Sequence, residues 1–339
     1  MIYPPFLKKG DIIGVTGCSA GKTEAADLAR LNHAALQLEK LGYCCLETEN
    51  VRTCEKGRSS DAKERAKQLL SLTDNPKVRA VVQVSGGDYL GEMLPYTDFD
   101  KIQCNPKWYQ GYSDPTGLLY SITVNCDMAT VYGSNFCDFG MKKWHPSLFE
   151  NIEILEGKRQ TQNSFPLYKD GFAPRVTGYE DYEEDTPTCW EGTEQKTVIA
   201  GRLLGGCLDV LLDLVGTPYD KTVSWCEKYK EDGILWYLES FALSSERLTM
   251  GLWHLREAGW FRHASGFVFG RPAFYSSDYD ITYREAVLAA LGEMNVPIIF
   301  EADIGHKAPR FTVVNGAKAV FTEENHKGWF ESSSCEIQR

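Results

Sequence analysis

The chain is expected to fold as an α/β protein in two domains, a doubly wound N-terminal domain and a smaller C-terminal one. Three observations predict it. Short apolar segments alternate with helical periodicity early in the chain, the rhythm of strand–helix–strand units around a parallel sheet. Val78 to Val84 is a β-branched run of the kind that fills a strand buried on both faces. Periodicity then fades between Thr161 and Lys196, and a second set of strands and helices begins after it. The expected boundaries are 1–165 for the N-terminal domain, 166–195 for a linker and 196–339 for the C-terminal domain.

Taken in order, Asp11 to Thr16 reads as a strand, and Thr23 to Leu41 as a helix with Leu28, Leu31, Ala35 and Leu38 on one face. Tyr43 to Glu47 is a second strand, and Ser59 to Leu72 a polar helix that packs through Ala66, Leu69 and Leu70. Val78 to Val84 and Lys107 to Gly111 follow as strands. Ligands of doubly wound sheets sit beyond the carboxyl ends of the strands, and both Gly86-Gly87 and Ser113 fall just past such ends. The acidic run Glu180 to Asp185, between Pro174 and Pro187, reads as a surface linker. Beyond it, Thr197 to Leu203, Gly233 to Leu238, Gly266 to Gly270 and Val296 to Glu301 read as strands. Helices fit at Gly206 to Leu214, Ser244 to Ala258 and Ile281 to Leu291. Phe311 to Val314 and Ala317 to Phe321, joined by Asn315-Gly316, carry a hairpin signal.

A length of 339 residues is ample for two cores, and 43% hydrophobic with 24% charged residues describes an ordinary globular protein. A formal charge of −11 argues against a nucleic-acid surface, which needs clustered Lys and Arg. No apolar run reaches membrane-spanning length, so no membrane partner is expected. Met1 to Gly10 carries Pro4 and Pro5 and no apolar signal-peptide core, which makes the cytoplasm the expected compartment. The eleven cysteines include no C-x-x-C pair, so they read as reduced thiols and no metal site is expected.

The chemistry concentrates at Trp108-Tyr109-Gln110-Gly111-Tyr112-Ser113-Asp114-Pro115-Thr116-Gly117. A strand ends at a serine, and a proline and small residues open an apolar helix from Leu118. A serine on such a turn has its hydroxyl pushed clear of the backbone, beside free N–H groups at the helix start. The string is G-x-S-x-x-x-G, so the G-x-S-x-G elbow motif is half met, and a Ser-Asp-Pro turn that merely caps a helix explains it as well.

Further segments join it in order: Lys9-Gly10-Asp11-Ile12-Ile13-Gly14-Val15, Val84-Ser85-Gly86-Gly87, Leu94-Pro95-Tyr96 with Asp98-Phe99, Leu235-Trp236-Tyr237-Leu238-Glu239, and Ile304-Gly305-His306. Together they resemble the LD-carboxypeptidase family of serine peptidases, which includes the microcin C immunity proteins, from about Lys9 to about Phe321. The resemblance implies a Ser-Glu-His triad of Ser113, Glu239 and His306, an oxyanion hole from the N–H groups of Gly87 and Asp114, and no cofactor. It also implies a partly closed, barrel-like sheet in the smaller domain and a homodimer.

The residues themselves leave alternatives open. Of six histidines, His33 and His254 lie within helical periodicity, His263 and His326 in polar loops, and His145 precedes Pro146. His306 directly follows a strand end and is the preferred base. Glu239 ends an apolar strand, where a carboxylate is costly unless paired. Asp303 and Glu301 are the other acids able to orient His306, and a strand-end Glu239 reaching water is the plain alternative. Gly86-Gly87 suits an oxyanion hole, or a simple turn after its strand. Thr16-Gly17-Cys18-Ser19-Ala20-Gly21-Lys22-Thr23 ends like a phosphate-binding loop but has Thr16 in place of the first glycine, which disfavours nucleotide hydrolysis.

Two positions bear on substrate by resemblance. Trp190, on an irregular segment, corresponds to a base-stacking tryptophan of the immunity branch or else anchors the core. Cys207, in Gly205-Gly206-Cys207-Leu208, stands where the family carries a substrate-holding asparagine, and so lacks its amide donors and acceptor. The expected function is that of a serine hydrolase cleaving an amide bond near a free carboxyl end, acting on peptidyl or aminoacyl nucleotide toxins. The alternatives are a murein tetrapeptide LD-carboxypeptidase and a non-catalytic binding protein for a small ligand.

Overall fold

The apolar runs early in the chain become a parallel sheet. In the computed structural model, which describes residues 1–333, this sheet holds β1 (Ile12–Thr16), β2 (Cys44–Glu47), β3 (Val78–Gln83), β4 (Trp108–Gly111) and β5 (Thr130–Tyr132). They lie in the order β2-β1-β3-β4-β5, with every neighbouring pair parallel. The chain crosses between strands through α1 (Ala25–Lys40), α2 (Ala62–Asp74), α3 (Phe99–Cys104) and α4 (Thr116–Cys126). Alternation along the strands sorts the core: Val82 and Trp108 cluster with Leu31 and Leu38 of α1, whereas Val81 and Tyr109 cluster with Leu69 of α2 and Leu118 of α4. Helices therefore cover both faces, as doubly wound sheets require. His145 accepts from the Ser147 N–H (3.1 Å) and caps α5 (Pro146–Leu155), with Pro146 at the first helical position, where its missing N–H costs nothing.

The segment from 161 to 195 does not run free. It contributes β6 (Thr161–Asn163), the pair β7 (Leu167–Tyr168) and β8 (Thr186–Pro187), and β9 (Glu191–Gly192). The second sheet is mixed. β10 (Lys196–Cys207), β11 (Ile234–Glu239), β12 (Ala264–Gly270) and β13 (Ile298–Ala302) run parallel at its centre. Antiparallel strands flank them in the order β6-β16-β15-β10-β11-β12-β13-β9, where β15 is Lys318–Glu324 and β16 is Lys327–Ser332. The sheet curls until its edges approach: the N–H of Trp190, just before β9, donates to His326 O (3.1 Å) in the turn between β15 and β16. Helices α6 (Leu208–Leu214), α7 (Thr222–Lys228), α8 (Ser245–Glu257) and α9 (Tyr283–Leu291) connect its strands. Residues 334–339 of the expected C-terminal domain lie outside the described residues. Among the described residues, no helix is long and apolar enough to cross a membrane.

The expected hairpin over Phe311–Phe321 is corrected. The tight turn forms, with the Ala317 N–H on Val314 O (3.2 Å) and Gly316 at φ +84°. Its two arms then part. β14 (Val313–Asn315) pairs antiparallel with β5 and completes the first sheet, while β15 pairs with β10 and β16 in the second. A turn signal fixes the reversal of the chain; the partners of the strands were fixed by distant apolar faces.

Candidate active site

Ser113 leaves the end of β4 in a left-handed conformation, φ +71°, which costs a non-glycine residue about 1–2 kcal/mol. The turn is held by the Thr116 N–H on Ser113 O (2.9 Å) as α4 begins. Gly86 makes room for it, because a Cβ there would stand 2.9 Å from both the Cβ and Oγ of Ser113. The Ser113 hydroxyl meets Nε2 of His306 at 2.9 Å, and Nδ1 of His306 meets Oε2 of Glu239 at 2.9 Å. An ionised carboxylate only accepts, so Nδ1 carries the proton and Nε2 is left to accept from the serine.

Glu239 ends β11 and is wholly buried. Burial pushes its carboxyl up; the His306 imidazole, with hydrogen bonds from His306 and Tyr132, outweighs that and holds it below the ordinary carboxylate value. Neither of the other acids near His306 in sequence reaches the imidazole through a hydrogen bond. Asp303 pairs with Arg271 Nη1 (2.8 Å) and accepts from the Trp190 indole (3.0 Å) and the Phe165 N–H (3.3 Å). Glu301 lies on β13 and has its carboxyl raised by burial. The His306 loop is braced by Arg310, which donates to Gly305 O (2.7 Å) and His306 O (3.4 Å) and pairs with Asp138 (3.0 Å).

Neither the Gly87 nor the Asp114 N–H has an acceptor among the described residues, the condition an oxyanion donor must meet. The Asp114 carboxylate is held by the Ser19 hydroxyl and by the Leu90 N–H (2.9 Å), both of which donate to it. At Gly87 a Cβ would run into Ser19 Oγ. The loop that reads like a phosphate binder is thus a buttress behind the two donors: Ser19 and Cys18 are fully buried, and the Cys18 N–H is taken by Gln83 (3.1 Å).

A cleft of about 900 Å³ opens on Ser113 and His306, lined by Gly87, Asp114, Cys207 and Phe241 among others. A second cavity of about 410 Å³, with Arg310, Tyr112 and Phe172 in its wall, touches the other side of His306. Phe241 packs on the imidazole (4.7 Å between ring centres) and on Phe274 (5.2 Å), which stands 5.5 Å from Phe172. These phenylalanines carry no sequence signal, since they stand singly in loops. Cys207 turns its thiol toward Asp209 (3.6 Å). With Glu239 and His306 it presents three metal-type ligand atoms within 4.8 Å. Burial first, then the neighbouring carboxylates, raise the thiol well above its ordinary value, and the other two atoms are committed to each other. A metal ion would have to break that pair and strip the thiol.

Trp190 requires a correction. It is fully buried, stacked on Phe321 (6.3 Å) and tilted on Phe311 (5.7 Å), and its indole N–H is spent on Asp303. It lines neither cavity beside His306, so no face of it is open to a nucleobase. The anchoring reading wins because the curled sheet closes over this segment.

Residues 13–133 match the family model described as the LD-carboxypeptidase N-terminal domain, and residues 200–321 the model of the LD-carboxypeptidase C-terminal domain. The chain is 25% identical to the microcin C7 self-immunity protein MccF of Escherichia coli, over 94% of this chain and 92% of that one. It is 24% identical to the "Probable murein peptide carboxypeptidase" of Bacillus subtilis (strain 168), over 98% and 95%. A solved structure of the microcin C7 self immunity protein MccF in complex with aspartyl sulfamoyl adenosine superposes with a TM-score of 0.83 at 22% identity, covering 98% of this chain and 99% of that one.

Proposed function

This chain belongs to the LD-carboxypeptidase family and is a serine-type carboxypeptidase, and on that premise we propose that Ser113, His306 and Glu239 hydrolyse an amide bond near the free carboxyl end of a peptidyl or aminoacyl nucleotide. The observation that carries the proposal is the unbroken hydrogen-bond line from the Ser113 hydroxyl through His306 to Glu239 at the floor of an open cleft. Ser113 Oγ attacks the carbonyl as Nε2 takes its proton. The oxyanion forms against the Gly87 and Asp114 N–H groups, and the imidazolium returns the proton to the leaving nitrogen. Water then repeats the sequence on the acyl-enzyme. Cys207 stands in the wall of the cleft beside the acyl group. The same reading carries a cytoplasmic homodimer, for which Met250 and Trp253 offer an exposed apolar face on α8.

The nucleotide part of the reading rests on the phenylalanines beside His306, since Trp190 is buried. Phe172 is half exposed in the wall of the cavity that touches His306, and Phe274, also half exposed, packs against it (5.5 Å). Base–aromatic stacking is worth about 1–3 kcal/mol, so Phe172→Ala is expected to lower kcat/KM for an aminoacyl sulfamoyl-adenosine roughly five- to a hundredfold. A murein tetrapeptide, with no base to stack, should be unaffected. Steady-state assays on both substrates decide it: turnover confined to the tetrapeptide overturns the nucleotide reading and leaves a murein LD-carboxypeptidase.

Charge gives a second handle on substrate. Asp88, Asp209 and Asp213 line the cleft, and no Lys or Arg does among the described residues. A lysyl or alanyl substrate is therefore expected to outperform the aspartyl one, by about fivefold per unfavourable exposed carboxylate contact and less at high salt. A preference for aspartyl in matched assays would contradict this account of the cleft.

A further inference from the structure

Resting on the Ser113–His306–Glu239 reading, we propose that Tyr132 is a positioning residue that keeps Glu239 ionised and aimed. Tyr132 is the last residue of β5, the strand beside the one that ends at the nucleophile. Its ring is buried between Tyr112 and Tyr237. The hydroxyl reaches across to the second unit and donates to Oε1 of Glu239 at 2.5 Å. On its other side it accepts from the Ser113 N–H at 3.4 Å.

The two oxygens of Glu239 are thus divided. Oε2 serves His306, and Oε1 is claimed by Tyr132. A carboxylate buried without such donors takes up a proton or turns to find a partner. A neutral Glu239 has lost the charge that stabilises the imidazolium during attack. Held by two donors on different oxygens, it can neither rotate away from His306 nor become neutral at working pH. The Ser113 N–H contact ties the same hydroxyl to the backbone of the strained turn. One side chain therefore sets the distance between the nucleophile's turn and the acid.

The test uses the full-length protein with four forms: wild type, Tyr132→Phe, Glu239→Gln and the double variant. Phenylalanine keeps the ring packing and removes only the hydroxyl. A hydrogen bond to a charged group is worth enough that kcat for Tyr132→Phe should fall about 10- to 100-fold, with KM nearly constant. The acidic limb of kcat/KM should move to higher pH. Without the tyrosine donor the carboxylate holds a proton more tightly, so the limb shifts upward. In the Glu239→Gln background, Tyr132→Phe should add almost nothing. The assay substrate is the aminoacyl sulfamoyl-adenosine or murein tetrapeptide, whichever the wild type turns over faster. A purely structural tyrosine would lower the melting temperature and leave the pH limb in place. Equal losses from Tyr132→Phe with and without Glu239 would overturn the inference. If Ser113→Ala and Glu239→Gln both leave turnover intact, the underlying reading fails; if both abolish it while Tyr132→Phe changes neither kcat nor the pH limb, only this inference fails.

Discussion

Ser113→Ala is expected to lower kcat by roughly four to six orders of magnitude while leaving the fold and ligand binding intact, the loss seen when the nucleophile of a triad is removed. Ser113 lies on a turn at the cleft, and its hydroxyl is bonded to His306 and to no packing partner that alanine would abandon. Alanine keeps the Cβ that stands against Gly86, so the turn has no reason to relax. His306 and Glu239 keep each other. The donors of Gly87 and Asp114 also remain and should support a small residual rate. Turnover within tenfold of wild type, in protein of unchanged melting temperature, would remove Ser113 from the chemistry.

Trp190→Ala has the largest expected effect on stability, a loss of about 3–5 kcal/mol, as for other buried tryptophans truncated in a packed core. The ring fills the space between Phe311, Phe321 and Gly328, where a Cβ on the glycine would already collide with the indole. Truncation also strips a donor from Asp303, whose carboxyl burial already pushes up and Arg271 pulls back. Denaturant unfolding should show the loss, while kcat/KM per folded molecule falls equally on nucleotide and murein substrates. A variant of unchanged stability that loses only the nucleotide substrate would return Trp190 to the cleft.

Legibility in the sequence followed how local each determinant was. The Val78–Val84 run, the serine turn at Ser113 and the apolar strand ending in Glu239 each carry their instruction within a few residues, and each takes its expected place. Trp190 sits after an acidic run that reads as surface; what buries it is Asp303 and the strands around Phe321, more than a hundred residues away. Asn315-Gly316 announces a reversal and gets one, but the choice of β5 over β15 as partner for Val313–Asn315 belongs to the whole molecule. β5 itself is only three residues long, too short for alternation to show, so Tyr132 gave no sign of its position.

The parting of strands at Gly316 bears on how the molecule is born. A ribosome releases the first five strands long before Val313, so β5 waits with an open edge until nearly the whole chain has been made. The N-terminal unit therefore cannot finish its sheet alone, and the C-terminal unit closes it only by threading β14 back across. That same return strand follows directly from the loop carrying His306. Completion of the sheet and the arrival of His306 beside Ser113 thus belong to one event, and a nascent or truncated chain lacks that contact until its last stretch arrives.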